Sequence, residues 1–304
     1  YKRQISDDAI DVSRNLKDGE IHLLENLRFH EGETKNDSHF SSMLAKHGSI
    51  YINDAFGTAH RKHASNYGVA DYFSTKGIGF LVEKELEFLS EKVSNAKKPL
   101  TLIVGGSKID TKLALIENFM DIADNIIIGG AMANTFLLAE GNSVGNSLVE
   151  KDKVSTAKQI FKVGSKKGTN IILPIDFKGE IGKLGSKKYC EAEKGNIPND
   201  MICEDIGDKS IKLFHSVLSK SSTIVWNGTL GVAENKIFAK GTQSIIDFIV
   251  SKELTSIVGG GDTVAAIRNY KEEYIQEFSH ASTGGGSCLE LLSGNKLPAI
   301  EILK

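Results

Sequence analysis

The sequence predicts an α/β fold in which a parallel sheet carries helices on both faces. From residue 100 onward, apolar runs of strand length alternate with segments of helical periodicity, as in proteins built from repeated βα units. Glycine clusters stand beside five apolar runs, at residues 105–106, 129–130, 228–231, 259–261 and 284–286. Ligands of such sheets lie beyond the carboxyl ends of the strands, so these clusters predict where the binding site is.

The individual elements follow in order along the chain. Residues 20–29 and 49–52 each contain an apolar run of strand length, and residues 81–93 place their apolar side chains on one helical stripe. Small polar residues and Pro99 follow that helix, which is typical of a domain boundary. Beyond it we expect strands within residues 100–104, 125–129, 170–176, 222–226 and 255–259, and helices over residues 112–120, through Leu138 and near Ala265.

Length and composition exclude several classes of protein. A chain of 304 residues suits two modest domains, and 40% hydrophobic residues are ordinary for a soluble α/β protein. The formal net charge of -2 gives no reason to expect a nucleic acid or an acidic membrane as partner. No apolar run approaches the roughly 20 residues that cross a bilayer. Three scattered cysteines favour a reducing compartment, and the polar first residues resemble the middle of a domain rather than a signal peptide.

The glycine clusters are typical of phosphate-binding sites. Glycine lets backbone amides approach an anion, and a helix that begins after the glycines adds the positive end of its dipole. One such loop is weak support, but five in one chain predict a nucleotide-handling domain. The sequence contains no GxxxxGK[ST] loop, no GxGxxG after a strand and no HRD or DFG element. The phosphate chemistry therefore follows a plan other than that of Walker A proteins, dinucleotide-binding domains or protein kinases.

Eight motifs occur in a fixed order over nearly the whole chain: LLENLRFHEGE (23–33), INDAFGTAHRKHAS (52–65), GGSKIDTK (105–112), IIIGGAMANTFL (126–137), LPIDF (173–177), WNGTLGVAE (226–234), GGGDT (259–263) and STGGGSCLELL (282–292). Together they closely resemble the phosphoglycerate kinase family. The resemblance implies two Rossmann-like lobes with parallel sheets joined by a hinge helix. It also implies reversible phosphoryl transfer between 1,3-bisphosphoglycerate and ADP, giving 3-phosphoglycerate and ATP, with Mg²⁺ accompanying the nucleotide.

The same resemblance implies a division of the chain. Residues 1–80 would form part of a triose-binding domain, to which residues 287–304 return. Residues 81–97 would be the interdomain hinge helix, and residues 98–286 the nucleotide-binding domain. The family carries roughly a quarter of its chain upstream of the YKRQ segment, including further Arg and His residues for the triose. We therefore expect an incomplete first lobe, and little or no kinase activity from the 304 residues alone.

The resemblance also assigns the site residues. It places the triose substrate at Arg28, His60 and Arg61. The catalytic set that it implies is Arg28, Arg61, Lys108, Lys112, Gly284 and Gly285. The nucleotide-binding set is Gly106, Ser107, Lys108, Lys112, Gly130, Asn227, Gly228, Leu230, Glu234, Gly261, Asp262 and Thr263. Within that set Glu234 would accept from the ribose hydroxyls, Asp262 would meet the nucleotide-bound Mg²⁺, and Thr263 would cap the following helix.

The residue types suit these assignments. Guanidinium groups match carboxylate and phosphate in geometry, and the lysines at 108 and 112 are spaced to share one helix face, although such a pair is usually a solvated stripe. For Asp262 the alternative is an ordinary N-cap, and the two roles can coexist. The spacing of His60 and His63 would suit a metal on a helix, but no Cys or carboxylate cluster completes the set. No general base is needed, because the acceptor carboxylate is already ionised near pH 7.

Smaller departures from the family lie in the nucleotide pocket. Thr229 replaces a usual proline and Ala233 a usual phenylalanine, while Cys203 and Glu204 occupy a Gly-Leu pair that contacts the nucleoside. These changes leave nucleotide preference open. Two other classes also remain open: a non-catalytic nucleotide-binding fragment or interaction protein of the same fold, and an NAD-dependent dehydrogenase. The latter is disfavoured by the missing fingerprint. The partners expected are the triose phosphates and ADP or ATP, with no nucleic acid and no membrane, in a cytoplasmic monomer.

Overall fold

The computed structural model describes residues 5–182 and 187–304, which divide into two compact units. The first unit contains the described residues up to Glu87 together with Asn295–Lys304, and the second contains Phe88–Gly294. The boundary falls inside the segment 81–97. Residues 287–294 belong to the second unit, because Cys288 packs on Gly259 and the carbonyl of Leu292 accepts a hydrogen bond from Asn118. The triose and nucleotide roles of the two parts remain predictions.

The first unit is a set of short helices around a two-stranded parallel sheet. Strand β1 pairs in register with β2, Tyr51 lying opposite Lys76. A small core of Phe40, Leu44, Ala64 and Val69 holds the helices together. The helices and strands, numbered in chain order over both units, are α1 (Asp7–Arg14), α2 (Glu31–Thr34), α3 (Ser38–Leu44), β1 (Tyr51–Asn53), β2 (Lys76–Ile78), α4 (Phe80–Leu86) and α12 (Pro298–Glu301).

The expected strand over residues 20–29 is wrong. Residues 20–26 have no regular structure, and Leu27–Phe29 form a 3-10 turn in which the Asn26 side chain accepts from the Arg28 N–H. A strand needs a neighbour for its backbone hydrogen bonds, and no strand within the described residues pairs with this segment. Ile21 and Leu23, the apolar residues that suggested the strand, are 91% and 89% exposed. The strand expected over residues 49–52 is confirmed by β1.

The helix expected over residues 81–93 exists, but its second half is wider than an α-helix. α4 ends at Leu86, and residues Glu87–Lys92 continue as a π-helix. Most of the expected apolar stripe is buried, including Val82, Leu89 and Val93. Leu81, in the first turn of α4, is half exposed.

The second unit is built on a six-stranded parallel sheet in the order β11-β10-β9-β3-β4-β5. Four of the five strands expected after residue 100 are confirmed with small changes of boundary, whereas the one expected over residues 170–176 ends at Ile172. The register aligns Val104, Asn227, Gly259 and Ser282 across four neighbouring strands. The glycine-rich segments that follow these residues therefore lie along one edge of the sheet. The strands are β3 (Leu100–Val104), β4 (Asn125–Ile128), β5 (Asn170–Ile172), β9 (Thr223–Asn227), β10 (Thr255–Gly259) and β11 (His280–Ser282).

Helices connect these strands as the alternating pattern predicts. The sheet interior is apolar, with Trp226, Ile103 and Ile127 fully buried among helix side chains. None of the helices in the described parts of the chain is long and apolar enough to cross a membrane. The helices are α5 (Leu113–Phe119), α6 (Met132–Ala139), α7 (Val154–Lys167), α8 (Asp208–Leu218), α9 (Lys240–Val250), α10 (Gly261–Tyr270) and α11 (Gly286–Leu292).

A second, antiparallel sheet in this unit is absent from the sequence-based expectation. It has the order β7-β6-β8 and consists of β6 (Asp176–Ile181), β7 (Lys188–Glu193) and β8 (Ile202–Ile206). The run NIILPID was read as one strand, but Pro174, which has no backbone donor for a strand ladder, separates β5 from β6. The strands β6 and β7 are rich in charged residues, so no apolar run marks them.

Candidate active site

A cavity of about 240 Å³ opens at the carboxyl edge of the parallel sheet in the second unit. Its walls come from the loops after β3, β4 and β9, from the first turn of α10, and from the small antiparallel sheet. The lining residues are Gly106, Ser107, Gly130, Ala131, Asn134, Phe177, Cys203, Glu204, Asp205, Ile206, Thr229, Leu230, Gly231, Val232, Glu234 and Asp262. The site thus lies where the glycine clusters of the sequence predict it.

Two glycines allow the loops of this edge to meet backbone to backbone. Gly228 has a φ of 97°, and a Cβ there would lie 2.2 Å from the carbonyl oxygen of Gly105. Gly130 has a φ of 64°, and a Cβ there would lie 2.6 Å from both the nitrogen and the oxygen of Gly106. No side chain fits either position, and both conformations are ones that L residues rarely adopt.

The amides of these glycines are not all available to an anion. The N–H of Gly106 donates to the Thr229 carbonyl at 3.0 Å, and that of Gly130 donates to the Leu230 carbonyl at 3.1 Å. Both glycines still contribute surface to the cavity wall. The expectation that glycine clusters expose amides therefore does not hold at these two positions, where glycine serves loop packing.

A half-buried ammonium group, that of Lys112, lies at the carboxyl end of β9. Lys112, immediately before α5, donates to Oδ1 of Asn227, whose Nδ2 donates to the Gly259 carbonyl at 3.0 Å. Burial lowers the pKa of Lys112, while the nearby Cys288 and Asp262 act in the opposite direction. The arrangement joins the ends of β9 and β10 and holds a cation within electrostatic range of the Asp262 carboxylate.

The start of α10 differs from the expectation in one respect. The N-cap is Gly260, so Asp262 and Thr263 both lie inside the first turn and neither caps the helix. Thr263 is buried, and its hydroxyl accepts a hydrogen bond from the Gly228 N–H at 2.7 Å. It fixes the loop after β9 rather than the helix end. Asp262 is exposed and lines the cavity, as a metal-binding role requires.

The cavity wall also includes residues that the sequence analysis did not assign to the site. Asn134 and Phe177 fall within the motifs IIIGGAMANTFL and LPIDF, so the motifs themselves could have indicated them. Burial raises the pKa of the Cys203 thiol to about 11, which keeps it neutral. Burial, reinforced by the charge of Glu180, also raises the pKa of Glu204. The wall formed by β6 and β8 therefore combines apolar side chains with a neutral thiol and a carboxyl group whose ionisation is disfavoured.

Some expected site residues are not in the cavity wall. Lys108 is exposed and lies outside the lining, as do Gly261, Gly284 and Gly285. Cys288, in the helix after the last two glycines, lies within electrostatic range of Lys112. Four more expected residues do not line the cavity but hold the loops at the strand edge through the contacts described above: Lys112, Asn227, Gly228 and Thr263. Glu234, Leu230 and Ser107 line the cavity directly.

The expected triose residues lie together in the first unit. Arg61 donates through Nε to Nε2 of His60 at 3.2 Å, and both arginines are exposed. Burial lowers the pKa of His63, the charge of Glu33 opposes that shift, and the positive charges of Arg28 and Arg61 add to it. Both guanidinium groups are therefore within electrostatic range of one imidazole, which makes this surface cationic.

A buried carboxylate that the sequence analysis missed holds this cationic loop. Glu33, 4% exposed, accepts from the Ser65 N–H at 3.0 Å and from the Ser65 hydroxyl at 2.6 Å. Its own carbonyl accepts from the Ala64 N–H, and His63 Nδ1 lies 3.8 Å from its carboxylate. His63 is thus part of the loop's internal support. In residues 5–182 and 187–304, no group of three or more His, Cys, Asp or Glu side chains could hold a metal ion.

Comparison with known proteins places the chain in a family. The profile of the phosphoglycerate kinase family matches residues 1–295. The chain belongs to the phosphoglycerate kinase family. The resemblance inferred from the eight motifs and the expected α/β fold are thereby confirmed.

Several phosphoglycerate kinases are similar over most of this chain. The sequence is 47% identical to that of Fervidobacterium nodosum over 292 residues, which are 94% of this chain and 72% of the relative. It is 42% identical to that of Finegoldia magna, covering 98% of this chain and 75% of the relative. The structure of phosphoglycerate kinase from Coxiella burnetii superimposes with a TM-score of 0.85 at 37% identity, covering 91% of this chain and 71% of that one. The Pyrococcus horikoshii enzyme gives 0.83 at 31% identity, covering 99% and 76%.

Proposed function

We propose that the protein transfers a phosphoryl group between 1,3-bisphosphoglycerate and ADP, giving 3-phosphoglycerate and ATP, and that the cavity of the second unit receives the nucleotide. The observation that carries the proposal is the family match over residues 1–295, which places every cavity-lining residue inside a phosphoglycerate kinase sequence. No described feature favours the non-catalytic alternative. Because this reaction belongs to glycolysis, we expect the protein in the cytoplasm. We also expect it to act as a monomer.

The chemistry asks for alignment and charge neutralisation. In the reverse direction the acceptor is a carboxylate, so no proton has to be removed before attack. Lys112 would meet the negative charge of the transferring group, because it is half buried at the strand edge beside Asp262. Lys108 and the amides after Gly284 and Gly285 would complete the set from positions outside the cavity wall. A preorganised cation acts most strongly where water is excluded.

The nucleoside would occupy the cavity itself. Glu234 would accept from the ribose hydroxyls, while Leu230, Phe177 and Gly130 would pack against the base. Ser107 and Gly106 would lie nearer the phosphates, since they follow β3 directly. Asn227, Gly228, Gly261 and Thr263 would hold the surrounding loops in place.

Mg²⁺ would enter with the nucleotide. The ion usually keeps several waters and takes one or two carboxylates together with substrate phosphates, so a single exposed carboxylate such as Asp262 suits it. When bound, Mg²⁺ would offset the charge of the phosphates. The triose phosphate would bind in the first unit, where Arg28, Arg61 and His60 form the cationic surface described above.

Two measurements test the proposal. Turnover is followed by coupling the consumption of ATP and 3-phosphoglycerate to NADH oxidation, in the protein carrying this chain. Calorimetry with ADP, with and without Mg²⁺, tests the cavity, and Asp262→Asn should reduce the advantage that Mg²⁺ gives. Failure of a folded sample to bind near-millimolar nucleotide would exclude the cavity as the nucleotide site.

A further inference from the structure

A buried carboxylate forms part of the cavity wall without any role in the scheme above. Asp205, near the carboxyl end of β8, is 3% exposed. Its Oδ2 accepts from the Gly241 N–H at 2.8 Å, and its Oδ1 accepts from the Ile206 N–H at 2.9 Å. Asp205 thus connects the cavity wall to the first turn of α9.

Asp205 caps α9 from a different element. That helix begins at Lys240, and its N-cap residue Ala239 has no side-chain oxygen that could accept a backbone N–H. The carboxylate of Asp205 satisfies the N–H of Gly241 in the first turn and complements the positive end of the helix dipole. The cap is thus supplied by β8, which also lines the cavity.

The same carboxylate lies against the loop Leu230–Glu234, which also lines the cavity. A Cβ on Gly231 would lie 2.3 Å from Oδ1 of Asp205, and one on Gly241 would lie 2.4 Å from the same atom. The loop is also bonded to α9 directly, since the Leu230 N–H donates to the Thr242 hydroxyl at 3.1 Å. Asp205 therefore lies at the junction of β8, the Leu230–Glu234 loop and the first turn of α9.

We propose that Asp205 is a positioning residue for the nucleotide, whose ionised carboxylate holds the Leu230–Glu234 wall and α9 in the arrangement that receives the nucleoside. The proposal rests on the nucleotide role proposed for this cavity. Ionisation matters because both oxygens accept backbone N–H groups. A proton on either oxygen would weaken the hydrogen bond that this oxygen accepts, because a neutral carboxyl group is a poorer acceptor than a carboxylate.

The surroundings of Asp205 place its ionisation near neutrality. Burial raises its pKa to about 7, against the lowering effect of the Gly241 and Ile206 amides and of Lys178 on β6. Asp208, at the start of α8, raises it slightly, and that carboxylate is itself paired with Lys178 at 2.6 Å and with Lys240 of α9 at 3.0 Å. Tyr189 of β7 also lies within electrostatic range of Asp205. Nucleotide binding should therefore weaken as the pH falls through about 7.

Asp176 offers a matched control. It caps α8 from β6 in the same way, accepting from the Lys209 N–H at 2.9 Å and the Ser210 N–H at 2.7 Å, while the N-cap itself is Gly207. Asp176 does not line the cavity. Asp176→Asn removes an equivalent helix cap in the same unit and reports what such a loss does to stability alone.

The first experiment measures the Kd of Mg-ADP by calorimetry from pH 6 to 8.5 for the unmodified chain, Asp205→Asn and Asp176→Asn. We expect Asp205→Asn to weaken binding at least tenfold at pH 8 and to be less pH-dependent than the unmodified chain. Asp176→Asn should bind within twofold of the unmodified chain at each pH. Ionisation of the ADP phosphates affects all three proteins equally, so the difference between profiles is diagnostic.

A second experiment needs no variant. The amide resonance of Gly241 reports the ionisation of Asp205 directly, and coupling between two binding events is reciprocal, so a nucleoside that prefers the ionised form must lower the pKa of Asp205. Adenosine is the probe, because it has no phosphate charge. A lower pKa with saturating adenosine supports the proposal. An unchanged pKa, or equal Kd values for Asp205→Asn and the unmodified chain, would overturn it while leaving the nucleotide site intact. Absence of binding by the unmodified chain would overturn both.

Discussion

The ammonium group of Lys112 donates to the side-chain oxygen of Asn227, a contact between the start of α5 and the end of β9. Asn227 is 1% exposed and is fixed in turn by its bond to the Gly259 carbonyl. The lysine is therefore held in one position at the strand edge by a residue that cannot easily move. Burial lowers its pKa, which means that the charge is partly desolvated before any ligand arrives. An anion placed there would offset that cost.

Lys112→Ala should therefore impair phosphoryl transfer more than nucleoside binding. Removing a cation that acts mainly in the transition state raises the barrier by roughly 2 to 4 kcal/mol. Turnover numbers and the Kd of Mg-ADP, measured for the same preparation, separate the two effects. Lys158→Ala, on the exposed face of α7, is the control and should change neither quantity. An unchanged turnover number in Lys112→Ala would reject the role.

The carboxyl edge of the parallel sheet, where the cavity lies, could be predicted from the sequence because its signals are local. Glycine clusters after apolar strands mark loops in which backbones meet, and Gly228 and Gly130 show that close approach in the structure. Asp205 and Glu33 could not be found in this way. Each acts on backbone groups more than 30 residues away, Gly241 and Ser65 respectively, and a carboxylate that caps a distant helix leaves no pattern around itself. The antiparallel sheet was missed for a similar reason, since charged strands have no apolar periodicity.

Glu204→Leu should tighten nucleotide binding. The Glu204 side chain lines the cavity, where burial and the charge of Glu180 oppose its ionisation. Leucine would remove a negative charge near an anionic ligand and present apolar surface to the nucleoside. Partial burial of a leucine is worth about 1 to 2 kcal/mol by area. Calorimetry with Mg-ADP measures the change, with the exposed Glu253→Leu as control. Weaker binding would show that the carboxylate is itself a nucleotide ligand.

Glu33→Gln should loosen the loop that carries His60 and Arg61. The carboxylate accepts two hydrogen bonds from Ser65 while buried, and removing one partner from a buried hydrogen-bonded pair costs about 1 to 3 kcal/mol. Urea unfolding gives the stability, and amide hydrogen exchange of residues 59–66 gives the local effect. Glu31→Gln is a close control on the same short helix. Its exposed ion pair with Lys35 should matter little. Equal effects of the two substitutions would contradict the support assigned to Glu33.

The dependence of stability on pH should separate two carboxylates that stand three residues apart. Burial raises the pKa of Asp205 from 3.8 to about 7, so between these values the native state holds a proton that the unfolded state has released. Stability contributed by this group therefore falls as the pH rises through that window, by at most about 1.4 kcal/mol per pH unit.

Hydrogen bonds from Lys178 and Lys240 lower the pKa of Asp208, so its contribution is fully present above 3.8 and is lost only as the pH falls further. Urea unfolding at pH 4.5, 5.5 and 6.5 should show that Asp205→Asn removes the decline in this window, whereas Asp208→Asn lowers stability by the same amount at all three values. Parallel curves for Asp205→Asn and the unmodified chain would mean that Asp205 is already ionised at pH 4.5. The ionised carboxylate would then impose no cost on folding, and the weakening of nucleotide binding expected as the pH falls through about 7 would not occur.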